Sequence, residues 1–199
     1  MRHLLAIVIT AVLSTAACSR SHPAVRDGDV IFQTSRSSLS VAIQRATHSP
    51  YSHMGIIFVR AGKPYVLEAS ATVRYTPLSE WIARGKDSSY VLKRLRTPLT
   101  DSQVEKLRKT AKWFEGRAYD LTFEWSDTRI YCSELVWKIY DRALAIKLGE
   151  LQKLREFDLS DAAVRTKMKQ RYGENVPLDS PVISPASMFK TEALSDVGT

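Results

Sequence analysis

Apolar residues recur along this chain with two different periods, and the switches between them outline the elements. After a turn at Asp27-Gly28, Val30, Ile31 and Phe32 form a short β-branched run. Residues 37–47 change to helical spacing, with Leu39, Ile43 and Ala46 on one face and Ser35 to Ser38 as N-cap candidates. Ser49-Pro50 ends that helix. Residues 53–60 and 65–70 read as two strands joined by the loop Ala61-Gly62-Lys63-Pro64, and residues 73–75 as a third. A short helix over 77–84 carries Trp81, and residues 90–95 alternate as a strand. Thr100-Asp101-Ser102-Gln103 is a capping-box pattern ahead of the stripe Val104, Leu107, Ala111 and Phe114, which stops near Gly116. An aromatic loop over 119–125 leads through Ser126-Asp127 to a helix with Leu135, Val136, Ile139, Tyr140 and Ala143 on its core face. A basic amphipathic helix over 160–171 ends at Gly173, and Ser184-Pro185 opens a last short helix. Hairpins mixed with helices make the class α+β.

The first residues follow a different rule. Arg2 and His3 precede an apolar stretch from Leu4 to Leu13, then small residues and Cys18. Residues 1–17 are read as a signal peptide and 18–26 as a linker, which leaves 27–199 as one domain. Cys18 stands where a bacterial lipoprotein would carry its lipid, although Thr15 occupies the position where leucine is usual. Lipidation at Cys18, with envelope-membrane association, and simple cleavage ahead of it both stay open. The chain is expected in the periplasm or anchored as a lipoprotein. No later apolar run is long enough to span a bilayer.

The 199 residues are 44% hydrophobic and 25% charged, which suits a single globular core. The formal charge of +8 is read either as solvated helix faces or as attraction to an anionic envelope surface or to acidic polymers. An exported chain without a binding motif argues against nucleic acid. Scattered histidines and two cysteines give no zinc-site spacing, so neither metal nor cofactor is expected.

The chemistry lies in two cassettes, Tyr51-Ser52-His53-Met54-Gly55 and Tyr131-Cys132-Ser133-Glu134-Leu135. Cys132 falls at the first turn of a helix, where free amides and a nearby imidazolium favour thiolate. Its own N–H could donate to an oxyanion. His53 opens a strand. Counted outward from the Ala61–Pro64 loop, it faces Glu68 to Ser70, and Glu68 is the acid in that window. Gly55 is expected to leave room beside the imidazole. Glu68 would orient the ring, and a glutamine there could still accept its hydrogen bond. Ser70 or Tyr75 are next in line should Glu68 fail. Tyr51, Ser52, Tyr131 and Ser133 flank the pair as candidate substrate-binding residues. His48 is read as a helix C-terminal residue, Glu134 as packing or cap, and Asp127 as a possible cap of the cysteine helix.

These cassettes, with the segments 28–32, 65–69 and 116–127, resemble the YiiX-like branch of the permuted papain-like, NlpC-type cysteine hydrolases, in which histidine precedes cysteine. The resemblance spans about 27–188. It implies a circularly permuted papain-like fold, a small antiparallel barrel-like sheet packed against helices, and a Cys132–His53–Glu68 site. The implied activity is amidase or peptidase through an acyl-enzyme, on an envelope peptide or lipid-like amide. A lipid acyltransferase or esterase on the same fold, and a binding module that keeps the fold without turnover, are the competing readings.

Overall fold

The computed structural model describes residues 24–197. The expected signal peptide, Cys18 and most of the expected linker lie outside the described residues. Ten strands and six α-helices follow in order: β1 (Val30–Gln33), α1 (Ser38–Thr47), β2 (His53–Arg60), β3 (Lys63–Ala69), β4 (Val73–Pro77), α2 (Leu78–Arg84), β5 (Val91–Leu95), α3 (Asp101–Phe114), β6 (Ala118–Tyr119), β7 (Arg129–Ile130), α4 (Cys132–Leu144), β8 (Gln152–Lys153), α5 (Ala162–Tyr172), β9 (Pro181–Val182), α6 (Pro185–Lys190) and β10 (Leu194–Asp196).

Six of the strands form one antiparallel sheet in the order β10-β5-β1-β2-β3-β4. Its central strand β2 is buried on both faces, which is why its sequence runs Ile56-Ile57-Phe58-Val59 without polar alternation. The two faces still separate by parity. Met54, Ile56 and Phe58 join the larger core with Leu107, Phe114, Leu135 and Ile139 from α3 and α4. Ile57 and Val66 join Leu78, Trp81 and Ile82 from α2 on the opposite face. The result is an α+β protein with helices on both sides of an antiparallel sheet.

Caps set the helix ends. Ser37 caps α1 by accepting from the Ser40 N–H, and His48 closes it in the left-handed region. Thr100 and Gln103 form the reciprocal capping box of α3. At α4 the boundary residue is Tyr131, whose N–H is accepted by Glu134. Asp127 does not cap this helix. Its carboxylate instead takes Lys138 at 3.0 Å and Arg142 at 2.7 Å, two turns in, because the loop before the helix folds back along its side. Helix α5 starts at Ala162 behind an Asp161 cap, later than the basic stripe alone suggests, because Ser160 is drawn into a turn by Asp158.

Two contacts fix the sheet against the helices. The Tyr140 hydroxyl on α4 donates to the Gly28 carbonyl ahead of β1. Arg94 on β5 grips the buried Asp29 with Nε at 2.6 Å and Nη2 at 2.8 Å.

Candidate active site

His53 begins β2, so its ring lies at the end of the sheet rather than among the packed central residues. It stacks on Trp81 with centroids 5.9 Å apart. The β2–β3 register pairs Ile56 with Leu67, so Glu68 follows on the sheet face that carries the imidazole. Glu68 Oε2 lies 2.6 Å from His53 Nε2. A carboxylate can only accept, so Nε2 carries the proton and Nδ1 is left for the thiol.

Glu68 is fully buried and fully occupied. Its second oxygen, Oε1, accepts from Thr76 Oγ1 at 2.6 Å and from the Arg84 guanidinium. Thr76 lies across the β3–β4 ladder, and Arg84 ends α2. Burial alone would raise the Glu68 pKa. The bonds and charge of His53, the Thr76 hydroxyl and Arg84 outweigh it and hold it at about 2, against an ordinary 4.5.

Gly55 does something other than open space for the ring. A Cβ there would sit 2.4 Å from Val66 Cγ1 and 2.6 Å from the Leu67 carbonyl oxygen. Glycine lets β3 close on β2 just where Glu68 must approach His53.

Cys132 comes from the other layer, as the first residue of α4. Its thiol is free and nearly buried. It lies near enough to His53 to act on the titration of the imidazole. Burial would lower the His53 pKa. Cys132 and then Glu68, each favouring the charged ring, reverse this and raise it from 6.5 to about 9. The approach to Cys132 is pinned from below. Lys138 Nζ binds the Ser126 carbonyl at 2.6 Å, Asp127 at 3.0 Å and the buried Glu134 at 2.7 Å. Burial lifts Glu134 to about 7 even with Lys138 beside it.

The flanking residues separate. Ser52 is held by Ser40 Oγ at 2.5 Å and accepts from the Ser35 N–H, so its hydroxyl faces α1. The Ser133 hydroxyl donates to the Ile183 carbonyl at 2.8 Å, and the Tyr131 hydroxyl accepts from the Ile183 N–H at 3.1 Å. Both join α4 to the chain before α6, and both line an apolar cavity that also contains Cys132. Tyr51 stacks on Phe189 with centroids 4.2 Å apart, in the core rather than in a cavity. Ser70 opens onto a polar groove with His53, while Tyr75 packs edge-on to Phe58. His48 pairs with Asp158 at 3.2 Å at the far end of α1.

Three neighbours escape sequence reasoning. Thr76 and Arg84 complete the Glu68 shell. Tyr119 is brought beside Cys132 by a two-residue parallel pairing of β6 with β7, Tyr119 opposite Ile130. Burial first, and the Cys132 charge second, raise its hydroxyl pKa far above 10.

Comparison with known proteins places this geometry. Residues 24–198 match the model of a permuted papain-like amidase family, the YaeF/YiiX or C92 family. The uncharacterized protein YiiX of Escherichia coli (strain K12) is 52% identical over 170 residues, covering 85% of this chain and 84% of that protein. A crystal structure described as metalloprotein yiiX from Escherichia coli O157:H7 superposes with a TM-score of 0.85 at 52% identity, over 87% of this chain and 97% of that one. Among the described residues, no group of three or more His, Cys, Asp or Glu side chains is arranged to hold a metal ion. The Glu68 oxygens are already taken by His53, Thr76 and Arg84.

Proposed function

The chain belongs to the permuted papain-like amidase family, and on that premise we propose that it is an exported cysteine hydrolase of an amide in the bacterial envelope. Cys132 is the nucleophile, His53 the general base and acid, and Glu68 the group that orients the imidazole. The observation that carries this reading is the His53 ring at the end of the sheet, its Nε2 2.6 Å from the buried Glu68, with Cys132 at the start of α4 near enough to raise its pKa. Sulfur attacks the carbonyl carbon, the tetrahedral oxyanion takes the first-turn Cys132 N–H, and the imidazolium protonates the leaving amine. Water then adds to the thioester while His53 accepts its proton. The Glu68 carboxylate keeps the proton on Nε2 and supports the charged ring.

Export rests on the N-terminal charge, apolar stretch and small residues ahead of Cys18. No helix among the described residues is long and apolar enough to cross a membrane.

Intact-mass analysis after exposure to an activated acyl ester tests the chemistry. One acyl group on Cys132 is expected, absent in Cys132→Ala and strongly slowed in His53→Ala. An unmodified wild-type protein would point to a binding module instead. Mass analysis of the N-terminus from cell fractions tests export: a chain beginning at or just after Cys18 is expected, with added lipid mass if Cys18 is acylated. Full-length protein in the cytosol would refute it.

A further inference from the structure

His53 is the middle member of a polar row across the end of the sheet. Gln33 on β1 pairs directly with it, and paired residues of antiparallel strands share a face. Counted on from the Ile56–Leu67 pair, Ser70 falls opposite His53 on the other side, just past the end of β3. All three residues line one polar groove, and Cys132 is not among its walls.

Both flanking groups are unspent. Gln33 is 2% exposed, yet its Oε1 finds no hydrogen-bond partner among the described residues, and neither does the Ser70 Oγ. The Gln33 oxygen is pressed onto Gly85, where an added Cβ would come within 2.3 Å of it. That leaves the NH2 of the carboxamide as the group that reaches the groove. Gly85 has an ordinary φ of −68°, so its backbone does not call for glycine. What matters there is the missing Cβ, whose space Gln33 fills. The seat is fixed from both sides, because Ser35 bridges to Gly85 and the Lys86 N–H donates to the Thr34 carbonyl at 2.9 Å. An unpaired buried carboxamide destabilises a fold, and this one is held in place beside the general base with its donor turned to the groove.

The groove meets the imidazole and not the thiol. It therefore takes the half of the substrate that departs as the amine when His53 gives up its proton. We propose that Gln33 is a specificity-determining residue for that half. Its NH2 donates to a carbonyl oxygen on the carbon next to the departing nitrogen, so the leaving amine is an α-amino acid or peptide and not a plain alkylamine. The Cβ atoms of such a cross-strand pair lie about 5 Å apart, which keeps a group bonded to Gln33 within one residue of a nitrogen bonded to His53. This rests on the cysteine-hydrolase reading and adds the class of leaving group.

The test uses the purified protein and three hexanoyl amides whose leaving groups match in size: glycinamide, glycine and isobutylamine, the last with methyl groups where the others carry polar atoms. Amine release is followed together with the mass of Cys132. For the wild type, kcat/KM of both glycine derivatives is expected to exceed that of the isobutylamide by about tenfold, the worth of one hydrogen bond. Gln33→Leu removes the carboxamide and Gly85→Ala displaces it from its seat, and each should bring that ratio to about one. Gln33→Glu should turn away glycine and keep glycinamide, whose NH2 can donate to a carboxylate; a residue with a merely structural role would produce no such split. The rate of Cys132 alkylation by iodoacetamide reports in each variant that the thiol and the fold persist. Three amides cleaved equally by the wild type, or a ratio unchanged in both Gln33→Leu and Gly85→Ala, would overturn the proposal and leave the hydrolase in place. A Cys132 that neither amides nor an activated ester acylate would overturn the hydrolase reading, and the leaving-group assignment with it.

Discussion

Replacing Glu68 by glutamine changes one atom and should cost most of the turnover, for a reason that lies with Arg84. In the wild type, Oε2 faces the His53 Nε2–H, and Oε1 accepts from both Thr76 and Arg84. A guanidinium has only donors. The amide of Glu68→Gln must therefore turn its oxygen to Arg84 and its NH2 to His53. Nε2 then becomes an acceptor and the ring proton moves to Nδ1, the nitrogen that should take the proton of the thiol. The expectation that an amide could still orient the ring holds for His53 alone and fails once Arg84 is counted. A loss of about 10³–10⁴ in kcat is expected, as for other triads locked in the wrong tautomer.

The stability change can be sized from the same contacts. Moving the carboxyl pKa from 4.5 to about 2 on folding corresponds to on the order of 3 kcal/mol at neutral pH, at about 1.4 kcal/mol per tenfold in proton affinity. Arg84 is 42% exposed and regains water when the charge is lost, so 1–2 kcal/mol is the realistic measured loss, to order of magnitude. The folded pKa is depressed, so this stability is fully present above 4.5 and fades as pH falls toward 2. Urea unfolding of wild type and Glu68→Gln at pH 7 and pH 3 measures it, and the gap should shrink by about half or more at the lower pH. A variant with wild-type kcat, or a gap unchanged at pH 3, would refute the assignment of Arg84 and Glu68 to one oriented array.

Three further outcomes follow from other groups. With His53 raised to about 9, kcat/KM should fall on the alkaline side with a midpoint near that value, because the imidazolium must protonate the leaving amine; a midpoint near 6.5 would mean the ring lacks these partners. The raised folded pKa of His53 also means that its contribution to stability is complete below 6.5 and is lost as pH climbs through 9. Tyr119→Phe should lower kcat by about 10–10³ at unchanged melting temperature if the hydroxyl beside Cys132 donates to the oxyanion, and an unchanged kcat would make Tyr119 a wall. Glu134, lifted to about 7 by burial, destabilises the fold progressively as pH rises from 4.5 through 7. Glu134→Gln should therefore gain on the wild type in urea midpoint between pH 5 and pH 8, and a gap that moves the other way would show that the Lys138 pair outweighs burial.

What could be read from the chain alone divides by distance along it. The His53–Glu68 pairing was legible because a short hairpin loop fixes the register of the strands it joins, and period two then fixes the face. The helix start at Cys132 was legible because an apolar stripe begins just behind it. The same alternation misleads about residues next to a functional one. Ser52 adjoins His53, yet its hydroxyl belongs to Ser40 and the α1 side, and Tyr51 belongs to Phe189. Strand β10 at the sheet edge has only Leu194 buried, too little pattern to announce itself. Tyr119 reaches Cys132 through a pairing of two residues, and Arg84 reaches Glu68 because α2 folds across the sheet. A strand neighbour of a histidine points away from it by construction, so the partners of His53 lie across the ladder or on a covering helix. The ladder can be counted from a loop. The covering helix is set by how Trp81 and Ile82 pack on Ile57 and Val66, which no local spacing encodes, and it is from that helix that the guanidinium deciding the fate of Glu68→Gln arrives.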